Sequence, residues 1–561
     1  MKPSLPQNDP NAQQRSDYIN QQRQAYHFDY DFLSPLALSK ELPAIENLSV
    51  DYIAERLLAT AELPVNMLAV KARSFLDPLD DLQDYEDFFP VLPLPAIAKT
   101  YQTDRAFAEQ RLSGANPMVL RLLDPADPRA QILAQLPSFK FFNLPKELQE
   151  NNIYIADYTG TDPSYLGPSK VQGGTYEKGR KYLPKPRAFF HWRWTGIRDR
   201  GEMVPLAIQL DTNRESHVYT PSDPPLDWLF AKLCVQVADA NHHEMCSHLA
   251  LTHLVMEPFA IVTARQLAEN HPLSLLLRPH FRFMLANSHL ARARLINPGG
   301  PVDGLLAGSL AESLELARDA YTNWSLDGFS FPAELKNRGM DDVNQLPHYP
   351  YRDDGLLLWN AIHTFVTGFI NYFYPTNDVI AEDIELQSWA AELASEKGGR
   401  VKGMPAQIDT AQQLIEIVTT VIFTCGPQHS AVNYPQDYYM SFAANMPLAA
   451  YRDIPAAEEA IGEAYILKML PPHQRAAEQL QILFTLSAYH YDRLGYYDKS
   501  YQELYNKCFK EVFEGGPIEI LVQQFQQELN IAEQKIDANN KKRVIPYISL
   551  KPSLVLNSIS I

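Results

Sequence analysis

Positive charge is in deficit: 49 lysines and arginines face 67 acids across 561 residues, a formal net charge of −18. That balance excludes nucleic acid as a partner, because its phosphates need a cationic face. By charge it also gives no indication of peripheral contact with anionic membranes. Cysteine is scarce. Cys234, Cys246, Cys425 and Cys508 show no CxxC spacing and no disulfide framework, so they read as reduced thiols of a cytoplasmic protein. The opening MKPSLPQNDPNAQQ lacks the apolar stretch and small-residue cleavage site of a secretory signal. No run approaches the ~18 apolar residues that span a bilayer. Internal repeats, coiled-coil heptads and a glycine-rich phosphate loop are also missing, and alternating strand patterns are few.

What is present is a chain that is 46% hydrophobic and 21% charged, enough apolar material for a sizeable core. Helical periodicity dominates from residue 225 onward, and the 42 prolines punctuate helices without dividing the chain into blocks. The expected fold is mainly α, one large helical domain over residues 25–561 with minor β structure. A flexible tail rich in Gln, Asn and Pro is expected over residues 1–24. The stretch 50–63 places Tyr52, Ile53, Leu57, Leu58 and Ala61 on one helical face. Such a stripe predicts packing on the core, with membrane contact as the sharper alternative. The basic run KGRKYLPKPR (178–187) reads as a solvated face.

Seven of the fifteen histidines fall between His242 and His289, which brings metal ligation to the front. The core of this segment, HHEMCSHLALTHLVMEPF (242–259), narrowly misses the zinc-protease pattern, because His248 follows His243-Glu244 at i+5 where i+4 is required. His248 and His253 are also five apart. In a regular α-helix that spacing leaves two side chains about 140° apart. They can share one metal only if the helix contains a π-type turn, a feature concentrated at functional sites; otherwise both are core histidines. Pro258 then falls on the apolar stretch Leu249–Leu267, where it should break or kink the helix.

Extended through HPLSLLLRPHFR (271–282), the pattern HxxxxHxxxxHLxxEPFxxxTxRQLxxxHPxxxLLxPHxR closely resembles the iron-binding signature of lipoxygenases. The resemblance implies that His248 and His253 ligate the metal and that His243 does not. TVIFTCGPQHSAVNYP (420–435) resembles the family's second ligand helix, with His429 and Asn433 as ligands; their i, i+4 spacing suits an ordinary α-helix. The sequence ends in NSISI, and lipoxygenases typically end in an isoleucine whose α-carboxylate reaches the iron, here Ile561. Further matches are DRAFAEQRLSGANP (104–117), MVPLAIQLD (203–211), DWLFAKLCVQVADANHH (227–243) and YPYRDDGLLLW (349–359). The N-terminal β-barrel lipid-binding domain of many family members has no counterpart before residue 104.

As implied by this resemblance, the protein holds one non-haem iron per chain, with manganese as an alternative. A metal-bound hydroxide held by these ligands abstracts a hydrogen atom from a bis-allylic methylene, so no side-chain acid or base is required. The substrates are a polyunsaturated fatty acid of the linoleate type and O2, the product is a hydroperoxide, and the protein acts as a monomer. Within HLARARLIN (289–297), Ala291 falls where alanine usually accompanies S products and glycine R products, and Leu295 matches a bulky residue packed against the pentadiene. Ordinary helix packing is the alternative for both. The competing functions are an inactive lipid-binding relative and a hydroperoxide isomerase built on the same ligands.

Overall fold

In the computed structural model, which describes residues 2–73, 79–136, 139, 142–159, 171–196, 201–210, 217–455, 461–497 and 509–561, Pro225 opens a 42-residue helical run that ends at Gln266. Proline stands in its first turn, where a missing N–H costs nothing. By length and composition this run would qualify to cross a membrane, contrary to the sequence expectation. However, 83% of its most apolar window is buried inside the protein, so it is a core helix. The run is not interrupted at Pro258. Proline there lies four residues beyond the end of a π-helical segment, His243–Leu254. Where i→i+5 bonding reverts to i→i+4 a carbonyl is left without a partner, and a residue lacking an N–H is tolerated.

A second central run covers residues 411–433. Thr410 caps its start by accepting from the Gln413 amide, and the run also carries a π segment, Thr424–Gln428, with Pro427 inside it. Helix Pro350–Phe373 packs against both 411–423 and Pro517–Asn540. The fold is thus mainly helical, as expected. One antiparallel five-stranded sheet joins Arg121–Leu122, Ile153–Asp157, Arg187–Trp194, Gly201–Gln209 and Val218–Tyr219 in that order. Its inner strand sends Ile153 and Ile155 into a small core with Phe189 and Ala207, and Tyr154 and Ala156 into the main core. Both faces are buried, so the sequence shows no alternation to mark it. Pro205 pairs opposite Phe190 at the register shift of the central hairpin, an interruption that suits a residue unable to donate.

Three expectations need correction. The segment expected as a tail contains a helix, α1 (Ala12–Ala25), packed on Val255–Gln266. Only Arg15 and Ile19 of α1 are buried, so its composition looks like that of a solvated tail. Arg15 holds Glu385 at 2.6 and 3.0 Å and also reaches Asp9 and Asn270. The next helices, α2 (Val50–Ala59) and α3 (Glu62–Arg73), do not bury the predicted stripe: Ile53, Leu57 and Leu58 are 45, 66 and 76% exposed, while Tyr52 is fully buried. In the basic run, Lys181 is buried and donates to the Asp303 carbonyl, and Arg187 pairs with Asp157 at 2.8 Å. Burial brings the Lys181 ammonium down to about 8. Cys234, Cys246 and Cys425 are buried free thiols; Cys508 lies outside the described residues.

Removing a cation from a buried pair leaves its carboxylate uncompensated. Arg15→Ala is therefore expected to lower unfolding free energy by about 3 kcal/mol in a denaturant titration. A substitution of the exposed Arg294 should leave stability within about 0.5 kcal/mol.

Candidate metal centre

The i→i+5 bonding of residues 243–254 turns His248 and His253 toward one another, as the spacing required of a shared ligand pair. Their Nε2 atoms lie 3.3 Å apart and their ring centroids 5.0 Å. His429, first residue of the α-helical turn His429–Asn433 that follows the second π segment, completes the group. Its centroid is 5.4 Å from His248 and 5.0 Å from His253. One ligating nitrogen from each of the three lies within 4.8 Å of the other two.

Burial lowers the pKa of all three rings, and mutual repulsion drives His253 and His429 further down. They are neutral imidazoles with lone pairs available. Neither nitrogen of His429 has a hydrogen-bond partner, although the residue is fully buried. A buried polar atom in that state is costly unless something satisfies it, and a cation between the three rings would. An all-nitrogen cluster of this kind suits borderline metals.

Surrounding groups set the orientation of the rings. Glu244 stands 3.7 Å from Nδ1 of His248, on the side away from Nε2, beyond hydrogen-bond distance but close enough for its charge to favour a proton on Nδ1. Burial alone would raise the Glu244 carboxyl, but the adjacent His243 and His248 outweigh it and bring it to about 2. His243, outside the three-histidine group, donates from Nε2 to the Val432 carbonyl at 2.7 Å and so ties the two central helices together. Glu257 is fully buried, accepts from the Ser39 amide at 2.9 Å and lies 3.6 Å from Arg292. That contact holds the N-terminal segment against the first central helix.

The other expected ligands are buried, though in different surroundings. Asn433 lies one turn beyond His429. Its amide nitrogen donates to the Leu486 carbonyl at 3.0 Å, and its Oδ1 accepts from Gln436 at 3.0 Å, which leaves that oxygen a second lone pair. Residues 555–561 are buried throughout. The Asn557 carbonyl accepts from His280 at 2.8 Å, and the Leu556 amide approaches Ser430 Oγ at 3.4 Å. Gly426 permits this approach, since a Cβ there would stand 2.7 Å from the Leu556 carbonyl oxygen. Ile561 itself packs with Tyr52, Phe283, Tyr489 and Tyr491, and the Tyr52 hydroxyl donates to the Ser560 carbonyl at 2.5 Å. Ala291 and Leu295 are half-buried at the end of helix Met284–Arg294. Sequence reasoning gives Glu244, Tyr52 and Gly426 no role at this site. Glu244, four residues before His248, and Gly426, a glycine beside a proline within an apolar helix, both carry a signal.

The family model described as Lipoxygenase matches residues 83–546. The linoleate 9/13-lipoxygenase of Pseudomonas aeruginosa is 33% identical in an alignment 498 residues long that covers 86% of this chain and 70% of that protein. The allene oxide synthase-lipoxygenase protein of Plexaura homomalla is 31% identical, over 98% of this chain and 53% of its own length. A lipoxygenase crystallised anaerobically in complex with arachidonate superimposes with a TM-score of 0.88 at 28% identity, covering 100% of this chain and 84% of that one.

Replacing a ligand should cost more than the ~10–100-fold in metal affinity that loss of an orienting neighbour costs. His253→Ala is expected to lose bound metal by mass spectrometry while the metal-free protein keeps its circular dichroism. Glu244→Gln is expected to fall within the ~10–100-fold range.

Proposed function

The chain belongs to the lipoxygenase family, and from that premise we propose that this dioxygenase inserts O2 into the cis,cis-pentadiene of linoleate-type polyunsaturated fatty acids. The product is a fatty-acid hydroperoxide. The observation that carries this reading is the group of three buried, neutral imidazoles, one of them with both nitrogens unpartnered. His248, His253 and His429 would hold a single non-haem iron, with the Asn433 amide oxygen as a weak, exchangeable fourth donor and the Ile561 carboxylate as the fifth. When bound, iron supplies the one-electron chemistry that hydrogen abstraction from a bis-allylic carbon requires. The net reaction adds O2 and returns the abstracted hydrogen to the peroxide, so no external reductant enters.

The chain's own residues then bind and orient. The Glu244 charge favours a proton on Nδ1 of His248 and so leaves Nε2 as the donor atom. The tie from His243 to Val432 fixes the spacing of the two helices. Leu295 is assigned to packing against the pentadiene, and Ala291 to the oxygenated face, beside a methylene that must be held within reach of the metal. Burial of the donor set excludes bulk water from the radical stage. The names of a bacterial linoleate lipoxygenase and of an arachidonate complex among similar proteins support the substrate class.

The test is conjugated-diene absorbance and oxygen uptake on linoleate, with metal content measured on the same sample. Bound iron and diene formation are expected. Bound metal without oxygen uptake on any polyunsaturated acid would overturn the reading; conversion of added hydroperoxide would then assign an isomerase, and its absence a lipid-binding protein. Deleting Ile561 or extending the chain beyond it is expected to strip the metal and abolish oxygen uptake. Full activity in an extended chain would remove the terminus from the ligand set.

A further inference from the structure

Helix α2 is turned opposite to an ordinary amphipathic helix. Val50, Ile53, Leu57 and Leu58 face outward at 81, 45, 66 and 76% exposure. Two of its polar side chains face inward: Glu55 accepts from the Tyr489 hydroxyl at 2.5 Å, and Arg56 approaches the Tyr52 hydroxyl and Asn287 Oδ1. The following helix α3 adds Val65 and Leu68 at 57 and 70%. Among the described residues, these two short helices carry six of the sixteen exposed large hydrophobic side chains of the chain. Exposure concentrated in two consecutive helices, and not scattered singly, points to an interaction surface. Rolling α2 about its axis would not cure the exposure, because it would break the bonds from the Tyr489 hydroxyl to Glu55 and from the Tyr52 hydroxyl to the Ser560 carbonyl.

Charge and position decide what this face meets. A second copy would also carry −18 at neutral pH, and like charge opposes its approach, as it opposes an anionic bilayer. A zwitterionic surface presents no such barrier. The inner face of α2 carries the Tyr52 hydroxyl bonded to the Ser560 carbonyl, one residue from Ile561. The apolar face therefore lies on the opposite side of α2 from the C-terminal residue that the reading above assigns to the metal. We propose that the outward aliphatic faces of α2 and α3 dock this protein on a zwitterionic lipid surface, with burial of apolar side chains as the driving force. The choice of a lipid occupant rests on the fatty-acid reading above; the exposed face does not.

The test is co-sedimentation of the full chain with phosphatidylcholine vesicles, at low and high salt, for the wild type, for a Leu57→Ser, Leu58→Ser double variant, and for an Ile520→Ser, Ile531→Ser control on a distant helix. Wild type and control are expected to bind equally and independently of salt. The α2 variant is expected to bind at least about tenfold more weakly, since each leucine contributes on burial. Wild type that ignores the vesicles would overturn the proposal, as would equal binding by the α2 variant. So would a wild-type dimer that the α2 variant converts to monomer, because a second copy would then cover the face. Vesicle binding is read without turnover, so its failure leaves the linoleate assay standing, and a failed linoleate assay leaves the binding result standing.

Discussion

Three buried imidazoles, each with a nitrogen within 4.8 Å of one on the other two, disfavour protonation of one another. Burial disfavours the charged ring, and both nitrogens of the neutral His429 ring are left without a hydrogen-bond partner. Such a group is an electrostatic liability unless its geometry is imposed from outside. Here the imposition is mechanical: two central helices carry the rings, and side chains that take no part in the cluster lock those helices together. The His243 bond to Val432 and the Gln428 contact with the Leu251 carbonyl cross from one helix to the other on either side of the cluster. The remainder of the fold, from the arginine-anchored N-terminal helix to the segment ending at Ile561, closes around that pair.

The last residues of the chain show how closely this packing is fitted. Gly426 lets the Leu556 carbonyl come against the second helix at a distance no side chain would permit. His280, which belongs to the conspicuous histidine-rich stretch but not to the cluster, is spent on the Asn557 carbonyl. Asn557 in turn bonds the Gly495 amide and the Tyr496 carbonyl. The terminal segment is therefore gripped by backbone and side-chain bonds along its length, and Tyr52 adds a last contact at Ser560.

Much of the site could be read from residue spacing, because spacing on a helix is geometry. The five-residue interval between His248 and His253 demanded a local π turn, and the backbone supplies one. Elements that depend on tertiary contact were illegible. Residues 12–25 read as a tail because a helix that buries only Arg15 and Ile19 has the composition of one. The stripe of α2 was seen, yet periodicity cannot tell which face of a helix turns inward, and here the partners of Glu55 and Tyr52 decided it. The helix continues through Pro258, where a break or kink is expected, because that expectation assumes α-helical bonding on both sides. The strand Ile153–Asp157 left no alternation since both its faces are covered.

The twelve-residue π segment has a consequence for how this chain can be altered. Such a segment accommodates one residue more than an α-helix of the same span. Shortening the loop of sequence between His248 and His253 by one residue would place them at i, i+4, about 40° apart on an ordinary α-helix. Hydrogen bonding would improve and the flanking turns would return to register. Selection for thermal stability alone would favour that shortened helix, which draws the two rings onto tighter turns than the widened backbone allows. In a stability-driven redesign of this segment, chain length would be eroded before any histidine was.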